Sequence, residues 1–353
     1  MSRAGIKDIA KKANVSIGTV DRVLHDRGQV SEKTKRNVLK VIEDLNYEPN
    51  KMASSLASKK VFKISVLLPK PIDQNNYWYY PVSGINKALG ENKDINVELQ
   101  NFFYEINDVE DFKAKAQQVI DHESDGVITA PVHDQELTHF IKKMQKANIK
   151  YAFIDSDLKR TNRSFYIGQD TFQSGRVAAQ LMHYCLSNNI YNILILRIYS
   201  VFHGIPAINQ REQGFIQFLR EVNPYQSFQI KSIEYKSGDD IGDKITSIIN
   251  SHYDFSAIFV PNSRSYLVAP YLRNLKKKKP LLLGFDVIEK NRALMEEGLI
   301  DFLISQRPIH QGYEAFQHLL RILIERKKST ILKNIPIDII TKENLDSYDH
   351  LEV

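Results

Sequence analysis

Apolar positions in the first fifty residues recur with helical spacing and are cut into three short runs. Ile6, Ile9, Ala10 and Ala13 fall at i, i+3, i+4 and i+7, which predicts one buried face on a short helix. Gly5 is placed to cap it, and Asp8 suits the positive end of its dipole. Asn14-Val15 breaks the run. Ser16 is a good cap for a second helix over 17–25 that turns Val20, Val23 and Leu24 inward. Ser31 caps a third helix carrying Val38, Val41, Ile42 and Leu45. Pro49 ends that pattern, and the stretch opening at Asn50 has room for two helical turns, too few to be stable alone.

From residue 62 onward the periodicity changes. Short apolar runs at 63–68, 95–102, 126–130, 151–154, 192–197, 228–234, 257–260, 281–284 and 302–305 predict strands, separated by helical stretches such as 112–122 and 175–186. Alternation of this kind predicts a parallel α/β sheet covered on both faces, with ligands bound beyond the carboxyl ends of the strands. A chain of 353 residues suffices for two or three such cores.

Charge separates the two regions. Through Lys60 the chain has 13 Lys and Arg against 7 Asp and Glu, the whole of the net +6, and the remainder holds 35 of each sign. A basic head on a neutral body is the electrostatic footprint of a protein that grips nucleic acid with one small domain. The tight turn between the first two helices makes a helix-turn-helix, whose second helix leaves Ile17, Gly18, Asp21 and Arg22 outward for the major groove. The planar fork of Arg22 matches the acceptor pair of guanine. Lys33, Lys35 and Arg36, beside a helix N-terminus, read as phosphate clamps.

With 42% apolar and 25% charged residues, neither a disordered chain nor a fibre is indicated. No apolar run approaches the ~20 residues needed to cross a bilayer. The N-terminus lacks a secretory signal, so the expected location is the cytoplasm. Cys185, the single cysteine, falls in the apolar pattern of a helix and reads as a core thiol. The ten histidines show no metal spacing, and no P-loop or GxGxxG is present; no metal, cofactor or catalytic residue is expected. The four lysines at 276–279 read as a solvated loop.

In the body, polar residues follow the strand runs: Asp155 after YAFI, Asn262 after IFVP, Asp286 after LLLGF and Gln306 after FLIS. Arg211 sits near the start of the helix after 192–197. Together they offer donors and acceptors to a ligand dense in hydroxyl groups, and the cluster Tyr77-Trp78-Tyr79-Tyr80 can stack on a sugar ring.

On Ile6-Lys7-Asp8-Ile9-Ala10, Ala13, Val15-Ser16, Thr19-Val20, Arg22-Val23-Leu24, Val30-Ser31, Thr34, Leu45-Asn46-Tyr47 and Pro49-Asn50, the head resembles the lactose/galactose repressor (LacI/GalR) family of bacterial transcription regulators. The resemblance implies a helix-turn-helix domain over 1–49 and a hinge helix and linker over 50–61, pairing with its dimer mate on operator DNA. It implies DNA contacts from Ser16, Ile17, Gly18, Thr19, Arg22, Ser31, Lys33, Thr34 and Lys35, with Asn50, Ala53 and Leu56 in the hinge and Leu56 as a minor-groove wedge. Asp21 stands where many members carry a small hydroxyl residue. An anion there pairs with His25 at i+4 or accepts from a cytosine amino group.

The body resembles the sugar-binding periplasmic-protein fold, in its ribose-type branch, on the stretch from Asn75 to Gly84, Ile154-Asp155, the RxxGF at Arg211, Asn262, the GFD ending at Asp286, and SQRPIHQGYEA from Ser305. That implies a two-lobed periplasmic-binding-protein-like (type I) domain over 62–340 that binds ligand and dimerises. The first lobe takes about 62–160 and 308–327, the second about 165–305 and the final strand 335–340. Asn75, Tyr77, Trp78, Asp155, Arg211, Asn262, Asp286 and Gln306 would line the cleft. The leading expectation is a homodimeric repressor switched allosterically by a carbohydrate effector through lobe closure. A transport-type sugar-binding protein and an enzyme on the same scaffold are the alternatives.

Overall fold

Three short helices open the chain in the computed structural model, which describes residues 6–24, 28, 30–45, 60–186, 192–199, 206–223, 228–234, 239–250, 254–273, 275, 278–326 and 331–348. Two compact units are separated at Lys59 and Lys60. Gly5, His25, Asn46, Asn50, Ala53 and Leu56, and with them the hinge helix, lie outside the described residues.

The head consists of α1 (Ile6–Ala13), α2 (Ile17–Leu24) and α3 (Glu32–Asp44). Helix α1 ends because Asn14 adopts φ 54°, sending its N–H to Lys11 O and that of Val15 back to Ala10 O. These are the two bonds of a Schellman cap, with asparagine in glycine's place. Ser16 then caps α2, its hydroxyl accepting from the Thr19 N–H at 3.1 Å, and Ser31 repeats the device on Thr34 at 3.3 Å. Helices of eight residues are marginal alone. Burial of Ile9, Val20 and Val38, at about 1.5–3 kcal/mol each, holds them together. Asn37 ties α3 to the end of α1 by donating to Ala13 O at 3.0 Å.

In the body, the first lobe comprises β1 (Phe62–Pro69), α4 (Tyr79–Glu91), β2 (Val97–Tyr104), α5 (Val109–Asp121), β3 (Gly126–Thr129), α6 (Asp134–Lys146), β4 (Lys150–Ile154) and β5 (Phe165–Gln169). The chain then enters a second lobe of α7 (Thr171–Cys185), β6 (Ile193–Tyr199), α8 (Pro206–Val222), β7 (Phe228–Glu234), α9 (Gly242–Ile249), β8 (Ala257–Phe259), β9 (Leu281–Phe285), α10 (Glu289–Glu296) and β10 (Phe302–Ser305). Helix α11 (Pro308–Glu325) and β11 (Ile331–Ile335) return to the first lobe, and β12 (Asp338–Ile340) and α12 (Leu345–Tyr348) to the second. The sheets run β11-β5-β4-β3-β1-β2 and β12-β10-β9-β8-β6-β7, so the last five strands of each repeat one order. All described pairings are parallel except β12 on β10.

Period-two alternation sorts the cores. Ile64, Val66 and Leu68 of β1 face α4 and α11, whereas Leu67 faces α5 and α6. In the second lobe Leu194, Leu196 and Ile198 of β6 face α9 and α10, while Ile193 and Ile195 face α7 and α8. Helices α7 and α8 touch backbone to backbone. A Cβ on Gly175 would stand 1.8 Å from the Arg211 carbonyl oxygen, and one on Gly214 2.0 Å from that of Phe172.

Several expectations need correction. Residues 165–169 form β5 in the first sheet, paired to β4, so the second lobe begins at Asp170 rather than 165. The final strand expected over 335–340 is two strands, β11 and β12, in different sheets. Pro336, which has no N–H to give a ladder, stands between them. Strand β2 lies two residues further on than expected, because Ile95 closes a turn onto Asn92 O. Cys185 is exposed, since the buried stripe of α7 ends at Met182. In the lysine run, Lys279 pairs with Asp301 at 2.6 Å rather than being merely solvated.

Candidate functional site

On the head, the outward face of α2 is the feature with chemistry to offer. Ile17 is 50% exposed, and Ser16, Gly18 and Arg22 are exposed beside it, with Thr19 half-buried against the Ser16 hydroxyl at 2.9 Å. Ser31 and Lys33 at the start of α3 are exposed, and Thr34 and Lys35 half-buried. A hydrophobic and a cationic side chain on the first turns of such a helix are suited to a methyl group and an acceptor pair in a major groove.

In the body, a cleft of about 660 Å³ lies between the lobes, within the range typical of small-molecule sites. All eight residues expected there line it. Asn75, Tyr77 and Trp78 come from the loop between β1 and α4, and Asp155 from the end of β4. Arg211 comes from α8, and Asn262, Asp286 and Gln306 follow β8, β9 and β10. Asp155 and Asp286 occupy equivalent places in the two lobes and share a left-handed backbone, with φ 66° and 62°. A non-glycine residue in that region is held there by its surroundings. For Asp155 the holder is Gln311, fully buried on α11: its Oε1 accepts the Asp155 N–H at 2.8 Å and its Nε2 donates to Gln306 O at 2.8 Å.

Gln306 joins the charged pair of the second lobe. Its Oε1 accepts from Arg211, and its Nε2 lies 3.1 Å from each oxygen of Asp286. Arg211 also donates to Pro261 O at 3.1 Å, and its guanidinium carbon sits 4.0 Å over the Phe285 ring. Burial pushes the Asp286 carboxyl up to about 7, opposed by the Arg211 charge and the Gln306 bond. Burial, then the nearby Asp155 and Asp286 charges, hold the Tyr77 phenol well above its ordinary value, so it is a neutral donor. Among the described residues, three buried polar atoms of the lining have no hydrogen-bond partner: Asn75 Oδ1, an acceptor, Arg211 Nε, a donor, and the Tyr77 hydroxyl. Leaving such groups unsatisfied costs about 1–3 kcal/mol each, so the cleft is built to be completed by something polar.

Two of the eight are less free than their residue types suggest. Asn262 donates to Ile198 O at 2.6 Å and accepts the Arg264 N–H at 3.1 Å, so its amide shapes the loop. Trp78 is 6% exposed, edge-on to Tyr77 with centroids 5.2 Å apart, which leaves Tyr77 the better placed for stacking. The lobes meet across the cleft where the Glu289 N–H donates to Gln74 O at 3.2 Å.

Comparison with known proteins fits both halves. Residues 65–327 match the Periplasmic binding protein domain family, and residues 5–50 match the family described as Bacterial regulatory proteins, lacI family. The chain belongs to the first of these families, and its head is a domain of the second. A structure solved as a candidate LacI transcriptional regulator from Bacteroides fragilis superposes with TM-score 0.75 at 29% identity, covering 82% of this chain and all of that one, 100%. The protein described as HTH-type transcriptional repressor ExuR of Bacillus subtilis is 27% identical over 216 residues, 61% of this chain and 60% of its own length. The ribose operon repressor of Lactococcus lactis is 22% identical over 96% of this chain and 97% of its own. A lacI-type head on a periplasmic-binding body makes this a DNA-binding transcription regulator.

In this regulator the cleft also takes in residues that the strand-end pattern did not single out. Lys70 and Glu105 follow β1 and β2 directly and pair at 2.9 Å; the rule that found Asp155 would have found them. Arg264 and Lys290 line the second lobe's side, where Arg264 donates to Ile198 O at 2.8 Å and Lys290 lies 5.2 Å from the Tyr266 ring. Among the described residues no cluster of His, Cys, Asp and Glu could hold a metal ion, and no helix is long and apolar enough to cross a membrane.

Proposed function

We propose that this regulator is a repressor that binds operator DNA as a homodimer in the cytoplasm and is switched by a neutral, hydroxyl-rich effector of the monosaccharide class. The observation that carries the effector class is the Asp155, Arg211, Asp286 and Gln306 group, with the unpartnered Asn75 Oδ1 and Arg211 Nε beside it. Around the whole lining six carboxylates face four cations, which disfavours an anion, and carboxylates accepting from hydroxyls form the stronger, charge-assisted class of hydrogen bond. Tyr77 offers an aromatic face to the ring. A relative that represses a ribose operon agrees with this choice.

On the DNA side, Ile17, Gly18 and Arg22 read bases, Ser16, Thr19, Ser31, Lys33, Thr34 and Lys35 hold phosphates, and Asn50, Ala53 and Leu56 act from the hinge. Effector binding changes the lobe angle and, through the hinge segments, operator affinity. Such a ligand shifts the equilibrium only by its differential affinity for the two states, typically 1–3 kcal/mol. Calorimetry of the full chain against a panel of aldoses, with and without operator, tests the proposal, and Arg211→Ala serves as the control. Effector affinity unchanged in Arg211→Ala, or an effector that leaves operator affinity unmoved, refutes it.

A further inference from the structure

A second cavity, of about 310 Å³, opens beside the place where the chain crosses between lobes. Asp157, Arg163, Tyr166 and Gln169 line it from the first lobe, and Thr171 and Gln210 from the second. Ala207 alone lines both this cavity and the effector cleft among the described residues.

Three of its lining residues carry buried polar atoms with no hydrogen-bond partner among the described residues: Asp157 Oδ1, Arg163 Nε and Gln169 Oε1. Gln169 is 1% exposed, and its amide cannot be turned round. Its Nε2 donates to Ser305 O at 2.9 Å and Pro336 O at 3.0 Å, both on segments that cross between lobes, so Oε1 must be the atom left over. Asp157 and Arg163 meet through their other atoms, Arg163 Nη2 donating to Asp157 Oδ2 at 2.8 Å. The ion pair is left with one unsatisfied acceptor, Asp157 Oδ1, and one unsatisfied donor, Arg163 Nε. A hydroxyl group, which both gives and takes a hydrogen bond, satisfies such a pair. Asp157 and Asp170 balance Lys159 and Arg163 around the cavity, so it favours no net charge.

We infer that this cavity is a second small-molecule site, for a neutral hydroxyl-bearing compound, separate from the effector cleft. Because both lobes line it, its occupant binds one interlobe arrangement better than another and is thereby linked to whatever fills the cleft. The site stands whether or not the cleft takes a sugar.

The test uses the full chain with glycerol, myo-inositol and D-ribose as probes, each followed by calorimetry and ligand-detected magnetic resonance up to about 10 mM, where weak sites still fill. Two variants separate the sites: Arg211→Ala in the cleft, and Arg163→Lys here, which keeps a cation for Asp157 but has no Nε. The expected result is a binding component for at least one probe that survives Arg211→Ala and weakens about ten-fold in Arg163→Lys. Gln169→Leu, with its melting curve measured alongside, removes the second orphan and should weaken the same component. Binding abolished by Arg211→Ala and indifferent to Arg163→Lys overturns the second site and leaves the cleft intact. Binding lost only in Arg163→Lys keeps the second site and removes the cleft reading. If no probe binds the Arg211→Ala protein, the second site is overturned.

Discussion

Replacing Gln311 with leucine should damage the fold and the effector site together. The side chain is fully buried and holds two backbone groups, the Asp155 N–H and the Gln306 carbonyl, each at 2.8 Å. Leucine matches its bulk roughly but offers neither an acceptor nor a donor. Asp155 is 8% exposed and Gln306 2%, so water does not readily take over. Each stranded group costs about 1–3 kcal/mol, hence roughly 2–6 kcal/mol in all, a large part of the ~5–15 kcal/mol that a domain has to spare. Gln311→Glu retains an acceptor for the Asp155 N–H but sets an oxygen against the Gln306 carbonyl, so it should fall between wild type and leucine. Urea unfolding of the three proteins ranks the stabilities, and effector calorimetry in the absence of denaturant reads the site. Asp155 is kept in its left-handed backbone partly by this bond, so affinity should drop in the same order. If Gln311→Leu unfolds within about 0.5 kcal/mol of wild type, the change ordinary for a surface substitution, the reasoning fails.

Three further outcomes are expected. Gly175→Ala places a methyl group 1.8 Å from the Arg211 carbonyl oxygen, so α7 and α8 must part; a loss of about 1–3 kcal/mol in melting experiments should come with weaker effector binding. Asp286, raised to about 7 by burial, passes from largely protonated to largely ionised between pH 6 and 8. Effector affinity measured across that window should rise with pH and lose the dependence in Asp286→Asn. Stability of the free protein should move the other way. The folded value lies above the ordinary 3.8, so this group's contribution is complete below about 4 and is lost as pH rises through about 7. Arg22→Ala should cost about 1–3 kcal/mol on operator and relax sequence preference; equal losses on operator and random DNA in a gel-shift titration would rule it out as a base reader.

How far the sequence could be read depended on the range of the contacts involved. Asn14, Ser16 and Ser31 act on residues within five positions of themselves, and the head was legible almost to the residue. In the body, the strand-end rule recovered Asp155, Asn262, Asp286 and Gln306 because a parallel sheet delivers every strand's end to one side. It missed β5, where FYIGQ reads as a weak strand and is in fact wholly buried because β4 and β11 flank it. Gln169 and Gln311 were out of reach for a related reason. Each has a partner far along the chain, 136 residues away for Gln169 and 156 for Gln311, and a buried glutamine gives no local sign of what it holds. Cys185 was misplaced because helical spacing says which side of α7 faces inward, not where the sheet beneath it stops.

The bond that joins the lobes across the cleft, from the Glu289 N–H to Gln74 O, is main chain at both ends. A change of side chain at either residue, proline at 289 aside, leaves its donor and acceptor in place. The clasp and the pocket it shuts are therefore separately inheritable. A lineage can exchange Tyr77, Arg211 or Asp286 for other chemistry, and so come to answer a different nutrient, while the means of fastening one lobe to the other passes on unaltered.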